Sequence, residues 1–90
     1  MQTLSAVALQ QRLRDAGIGP TLQRLAVAGV LLPRPVHMTA DQVLQAAARQ
    51  LPGISRATVY AALQLFVHQG LLKELRVEGV AAIIYPKYRN

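Results

Sequence analysis

The sequence predicts one mainly α-helical domain with a small β-hairpin, which is the arrangement of a winged helix-turn-helix. Ninety residues, of which 52% are apolar, are enough for one core. Apolar residues recur at helical spacing in successive segments that Pro and Gly separate, and the last of these segments opens after a short Pro-Gly turn. After Gly70 the pattern changes to one typical of strands. We therefore expect residues 1–90 to form a single winged-helix domain.

The first helix is predicted between Ser5 and Ala16. Leu9 and Leu13 lie one helical turn apart and therefore share a face. Gly17 follows directly, and glycine suits the left-handed conformation in which many helices end.

The second helix is predicted to begin after Thr21, which follows Pro20 and is a good N-cap residue. The Pro-rich stretch at residues 33–35 should end this helix. Its expected apolar stripe consists of Leu22, Leu25, Ala26 and Val30.

The third helix is predicted to begin at Thr39-Ala40-Asp41-Gln42. This motif is a capping box, in which the threonine and glutamine side chains each accept a hydrogen bond from the backbone amide of the other residue. Asp41 is placed favourably near the positive end of the helix dipole. Pro52-Gly53 should break the helix. Its expected buried residues are Val43, Leu44, Ala47 and Leu51.

The fourth helix is predicted at about residues 55–69, capped by Ser55 and ended by Gly70. At about 100° per residue, its apolar side chains gather on one side of the helix. These expected core residues are Val59, Ala62, Leu63 and Phe66. The segments 71–77 and 80–85 then read as two strands of a hairpin that turns near Gly79.

The opposite side of the fourth helix is polar but carries little charge. Arg56, Tyr60 and Gln64 share this side, with Ala57, Ala61 and His68 beside them. In a helix-turn-helix the second helix of the pair lies in the major groove of DNA. An arginine can pair with guanine or a phosphate, a tyrosine ring can contact a thymine methyl group, and a glutamine can read adenine. The pattern therefore predicts a recognition helix.

Each of these residues also has a purely structural interpretation. Ser55 and Thr58 are either helix-start residues only or phosphate contacts as well, since free amides at a helix start bind anions. Tyr60 could instead lie across the second or third helix as part of an amphipathic core. Arg56 could simply be solvated. The combination of all these residues on one capped helix favours DNA contact.

The charge of the chain points to the same class of partner. Ten basic residues outnumber four acidic ones, which gives a net charge of +6 and favours an anionic partner, most often nucleic acid. Lys73 and Arg76 fall on the hairpin, and Lys87 and Arg89 lie in the tail. Basic residues on a wing would contact the backbone or the minor groove and add affinity without sequence choice. The expected partner is therefore double-stranded DNA.

Other classes of function find little support. The chain has no cysteine, which removes disulfides, thiolate metal sites and thiol catalysis. Its N-terminus fits neither a signal peptide nor a membrane span, so we expect a cytoplasmic protein without a membrane partner. Glu74 and Glu78 fall in a strand and a turn rather than as a facing pair, and no serine lies in an elbow motif. We do not expect an enzyme.

Four segments together resemble the N-terminal DNA-binding domain of the ferric uptake regulator (Fur) superfamily of metal-responsive transcriptional regulators. They are LRDAGIGPTLQRLAVAGVLL, HMTADQVLQAA, ISRATVYAALQLF and QGLLKEL, at residues 13–32, 37–47, 54–66 and 69–75. The resemblance covers residues 9 to about 85. It implies a bacterial repressor that binds AT-rich inverted repeats when loaded with a metal such as iron, zinc or manganese. It also implies base contacts by Tyr60 and a position near the phosphates for Arg24.

This chain departs from the family pattern at several positions. Ala61 stands where arginine or asparagine is common, Gly19 replaces a basic residue, and Arg56 takes a position that is usually apolar. The operator therefore cannot be transferred from the family. These losses also keep an alternative open, a winged-helix protein–protein interaction module with weakened DNA binding. The test that separates the two is salt dependence, which is steep for DNA binding.

The resemblance also implies a C-terminal domain for metal binding and dimerisation, of which nothing follows Asn90. The chain is thus expected to be either a piece of a longer protein or a natural protein without a sensor. His37 matches a metal-ligand position of the family, but a site needs about three or four ligands, and the other histidine, His68, lies on a different element. We expect no cofactor in this chain. A homodimer through Leu31, Leu32 or the last strand is an open alternative to burial of these residues in the core, which we favour.

Overall fold

The computed structural model describes residues 5–33, 36–76, 79 and 81–86. In this part of the chain, helices pack around one core and a small antiparallel sheet lies at one side. The elements in chain order are α1 (Ala6–Asp15), α2 (Leu22–Leu31), β1 (Met38–Thr39), α3 (Ala40–Gln50), α4 (Arg56–His68), β2 (Leu72–Leu75) and β3 (Ile83–Pro86). The predicted winged helix-turn-helix is confirmed, with α3 and α4 as the helix pair and the sheet as the wing.

All the described helices begin with a hydroxyl cap, as the sequence predicts for α2, α3 and α4. The side-chain oxygen accepts a hydrogen bond from the backbone amide three residues on, at 3.1 or 3.2 Å. The capping residues are Ser5, Thr21, Thr39 and Ser55. The capping box is complete, because the Gln42 side chain also accepts from the Thr39 amide at 2.9 Å. Such caps are worth about 1 kcal/mol each, so they define where the helices begin.

The end of α4 requires glycine. Gly70 has a φ of +83°, a left-handed conformation that other residues rarely adopt. Its amide donates to the carbonyl of Val67 at 3.1 Å, and the amide of Leu71 donates to the carbonyl of Phe66 at 2.9 Å. These two bonds form a Schellman motif, which ends the helix and turns the chain into β2.

The core is formed by apolar side chains from every helix and from β2 and β3. The inner face of α4 is buried as predicted, and Phe66 is completely enclosed. Leu31 and Leu32 are also buried, which confirms the favoured interpretation of these two residues. The buried residues of α4 are Val59, Ala62, Leu63 and Phe66. With this face fixed in the core, the polar face of α4 must point outward.

The predicted apolar stripe of α2 lies only partly against the core. Leu22 is 72% exposed, and the buried residues of this helix are Val27, Ala28 and Leu31. Leu25, Ala26 and Val30 are only partly buried against the core. The segment LQRLAVAGVL is apolar on nearly every side, so its pattern does not identify a unique inner face. The packing of α3 and α4 decides which side is covered.

The prediction of a two-stranded hairpin is incomplete, because a third strand joins it. The described sheet has the order β1-β3-β2 and is antiparallel throughout. β3 is therefore paired on both sides at Ile83 and Ile84 and is not a free edge there. Leu72 and Ile84 face the core, whereas Leu75 is 50% exposed. Val77, Glu78 and Val80, which the sequence analysis placed in the strands and turn, lie outside the described residues, as do Arg34 and Pro35.

Candidate nucleic-acid interface

The outward face of α4 carries the predicted recognition residues. Arg56, Tyr60 and Gln64 are all exposed, with the small residues Ala57 and Ala61 between them. Tyr60 is 40% exposed, so its ring is not enclosed in the core, although its hydroxyl reaches the start of α3 as the alternative interpretation allows. The helix thus presents a guanidinium group, a phenol and an amide along one accessible stripe.

The carboxylate of Asp41 reaches this stripe from α3. The sequence predicted only that Asp41 favours the start of that helix. Asp41 Oδ1 forms an ion pair with Arg56 Nη1 and accepts a hydrogen bond from the Tyr60 hydroxyl at 3.2 Å. Arg56 Nη1 also donates to the Tyr60 hydroxyl oxygen at 3.2 Å. The three polar ends therefore meet in one cluster, which we call the Asp41 cluster. It comprises Asp41, Arg56 and Tyr60.

The charges in the Asp41 cluster stabilise each other. The pKa of Asp41 lies below its ordinary value of 3.8, mainly because of the hydrogen bond from Arg56 and next because of that from Tyr60. The same contact with Asp41 raises the pKa of the Arg56 guanidinium. Both side chains are largely solvent-exposed, at 62% and 59%, so the pair contributes little to stability. Its main effect is to orient the two side chains.

Ser55 and Thr58 form the start of α4. Ser55 Oγ accepts from the Thr58 amide at 3.1 Å and donates to Thr58 Oγ1 at 2.8 Å. This geometry accounts for both residues as helix-start chemistry. Ser55 is exposed and Thr58 is partly exposed, so their contact with a phosphate stays a prediction.

Arg24 lies at the first turn of α2 and is partly buried. Its Nη1 donates to the carbonyl of Gly19 at 3.0 Å. Arg24 lines a shallow cleft of ≈ 270 Å³ together with Thr58 and Ala61 of α4. The first turn of α2 and the outer edge of α4 are thus neighbours, and Arg24 lies beside the predicted recognition helix.

The wing approaches the same face from the other side. Lys73 on β2 is exposed, and Arg76 Nε donates to Glu74 Oε1 at 3.1 Å. A cleft of ≈ 240 Å³ separates α4 from the wing. Its polar lining includes Asp41, Tyr60, Gln64, Glu74 and Arg76. Lys87 and Arg89, the predicted basic residues of the tail, lie outside the described residues.

The described residues do not fit a regulatory metal ion. The ring of His37 stacks on that of Tyr85, with centroids 4.9 Å apart and planes at 24°. Within residues 5–33, 36–76, 79 and 81–86, no three His, Cys, Asp or Glu side chains come together at a metal-binding distance. A divalent ion needs more ligands than His37 alone.

None of the described helices is long and apolar enough to cross a bilayer.

The capped outward helix, the preceding helix and the wing define a winged helix-turn-helix protein. The sequence model described as the ferric uptake regulator family matches residues 15–86. The chain belongs to this ferric uptake regulator family.

Curated and solved relatives agree with this assignment. The peroxide-responsive repressor PerR of Staphylococcus aureus strain Mu50 is 44% identical over 63 residues, which cover 70% of this chain and 43% of that protein. The ferric uptake regulator of Vibrio cholerae superimposes with a TM-score of 0.79 at 30% identity, over 89% of this chain and 62% of that one. PerR of Streptococcus pyogenes gives 0.73 at 26% identity, over 94% and 59%. This chain spans less than half of the length of the curated relatives that it matches.

Proposed function

We propose that this domain binds double-stranded DNA sequence-specifically, with α4 in the major groove and the wing on the backbone, as part of a transcriptional repressor. The observation that carries the proposal is the stripe of Arg56, Tyr60 and Gln64 on the accessible face of α4. These side chains can bond base edges, whereas the apolar face of the same helix is held in the core. Repression is carried over from the matched relatives, which are named repressors.

The surroundings of α4 support backbone contacts. Arg24 lies beside the helix, Lys73 is exposed on the wing, and the chain has a net charge of +6. Phosphate contacts from such residues position a protein on the duplex without reading its sequence. Ser55 is exposed at the start of α4, where helix amides without an intrahelical partner suit a phosphate. Each element of the interface therefore has a separate task, with base reading on α4 and attraction around it.

The test is selection of duplexes from a random pool, followed by affinity measurements at two salt concentrations. Tyr60→Ala should weaken binding to the selected duplex by about 1–3 kcal/mol and change binding to a random duplex little. Lys73→Gln should weaken both and reduce the salt slope by about 1. Arg49→Gln is the matched control, because it removes one positive charge at the far end of α3, beside the cleft with α2.

The second candidate is a protein-docking winged helix. The observation in its favour is that Arg56 and Arg76 are each paired with a carboxylate, which weakens the local attraction for phosphate. A docking surface would bind DNA weakly and without selecting a sequence. Failure of the pool to converge, together with unchanged DNA binding in Tyr60→Ala, would favour this candidate over the proposed one.

A further inference from the structure

The arginine of a recognition helix has two competing uses. Any DNA offers it phosphates, and only some sequences offer it a guanine edge. A guanidinium group that moves freely binds the nearest phosphate, which raises affinity for every sequence alike. A guanidinium group that is already held in one place gains less from random contacts. The surroundings of Arg56 therefore decide whether it contributes affinity or selectivity.

Asp41 is well placed to hold this side chain. It lies in the first turn of α3, and its Oδ1 contacts Arg56 and Tyr60 at once. The bond with Arg56 uses Nη1, which leaves the Nη2 and Nε donors of the guanidinium group for other partners. The hydroxyl proton of Tyr60 is used on Asp41 as well. One carboxylate thus bonds both of the side chains that are proposed to read bases.

The pair also changes the charge of the recognition face. Asp41 and Arg56 together have no net charge, so this stretch of α4 does not add to the attraction for phosphates. Placing an acid on a DNA-facing surface costs affinity for every sequence, because the carboxylate repels phosphate. A fixed guanidinium group, in return, loses less side-chain freedom when it bonds a base edge.

We propose that Asp41 is a specificity-determining positioning residue, which holds Arg56 and Tyr60 for base contact and prevents Arg56 from binding random phosphates. This inference rests on the proposed DNA-binding function and deepens it. The start of α3 supplies an ordinary alternative role for Asp41, since an acid there also favours the helix dipole. A dipole role predicts a change in stability without a change in selectivity, so the two roles can be separated.

The experiment compares Asp41→Asn with wild type on the duplex selected from the random pool and on an unrelated duplex of equal length. Asn keeps the shape of the side chain and removes its charge. On the unrelated duplex, the slope of log affinity against log salt concentration should steepen by about 0.9, as expected for one additional phosphate contact. Between about 50 and 200 mM salt, this slope corresponds to an additional loss of affinity of about 3.5-fold. The affinity ratio, which is the affinity for the selected duplex divided by that for the unrelated duplex, should fall by about threefold or more. This is the size of one gained phosphate contact.

Matched variants separate position from charge. Asp15→Asn makes the same change of charge on α1, where Asp15 accepts a bond of 2.7 Å from Gln11, and should leave the affinity ratio unchanged. Asp41→Glu keeps the charge and should restore the ratio to within about twofold of wild type. Arg56→Lys retains a positive charge but loses the planar guanidinium group with its several donors. It should therefore lower the affinity ratio even though Asp41 is intact. Thermal melting establishes that each variant is folded.

The outcomes distinguish the two levels of the proposal. If wild type selects a sequence but Asp41→Asn behaves like Asp15→Asn, the role of Asp41 is refuted and DNA binding stands. A full affinity ratio in Arg56→Lys would refute it in the same way, and this comparison does not depend on the folding of the Asp41 variant. If wild type selects no sequence and its binding is insensitive to salt, both the proposed function and the role of Asp41 are overturned.

Discussion

Replacing Thr39 tests the junction between the wing and the helix pair. Thr39 is the last residue of β1 and also the N-cap of α3, where its Oγ1 accepts from the Gln42 amide at 3.2 Å. In Thr39→Val the hydroxyl is lost and the branched side chain is kept. The Gln42 amide then loses its partner in the cap, while the bond from the Thr39 amide to the Gln42 side chain can persist. The expected loss is one capping bond.

The size of that loss follows from the capping geometry. Removal of a hydroxyl cap costs about 1 kcal/mol, with a range of about 0.5–2. At an unfolding entropy of about 2.1 cal/mol/K per residue, 1 kcal/mol lowers the Tm of this domain by about 5 °C. With a urea m-value of about 1–3 kcal/mol/M, the midpoint falls by about 0.3–1 M. The m-value itself should not change, because the same surface is exposed on unfolding.

Urea unfolding followed by circular dichroism measures this loss. Thr39→Ser is the matched control, since it keeps the hydroxyl and loses only the methyl group, and it should retain most of the capping contribution. The reasoning is refuted if Thr39→Ser loses as much stability as Thr39→Val, or if Thr39→Val unfolds at the wild-type midpoint. The first result would mean that packing of the methyl group matters more than the cap.

Three further predictions concern stability. The lowered pKa of Asp41 stabilises the folded state at pH values above the ordinary 3.8, and this contribution is lost as the pH falls through the lowered value. The difference in unfolding free energy between wild type and Asp41→Asn should thus be constant above about pH 5 and decrease in more acidic solution, as urea titrations can show. Gly70→Ala should cost about 1–2 kcal/mol because of the φ of +83°. Gly29 lies inside α2, and a methyl group added there would have Leu9 Cδ1 at 3.7 Å, an ordinary contact. Gly29→Ala should therefore stabilise the folded domain by about 0.5–1 kcal/mol. Equal effects of the two glycine substitutions on the free energy of unfolding would contradict these expectations.

The helices could be predicted from the sequence because their signals are local. A hydroxyl residue at each start and a glycine or proline near each end lie within one turn of the helix that they delimit. The inner face of α4 was equally clear, since Val59, Leu63 and Phe66 are separated from polar residues by a regular period. The outward face then followed by exclusion. Local information was sufficient for these features.

The features that were missed depend on residues far apart in the chain. β1 has only two residues, Met38 and Thr39, and its strand character comes from pairing with Ile84 and Ile83. Nothing in the local sequence signals such a short strand. The inner face of α2 depends on which helices cover it, because the segment is apolar on nearly every side.

The Asp41 cluster was missed for the same reason. Asp41 is 15 residues from Arg56 and 19 from Tyr60, and the capping box already explained its position. One signal was available, however. A helix-turn-helix brings the start of its first helix near the second one, and an acid placed there beside an unusual arginine suggests an ion pair.

The order of the strands has a consequence for how a duplex can be accommodated. Because β3 is bonded to both β1 and β2, and β1 continues directly into α3, the sheet links the paired strands to the first turn of α3. A bound duplex could not push the hairpin aside without also shifting the carboxylate of Asp41. In the proposed complex with DNA, the sheet would therefore set the distance between the backbone contact of the wing and the base contact of α4. Sites with the correct bases but a different groove width would be rejected on geometry alone.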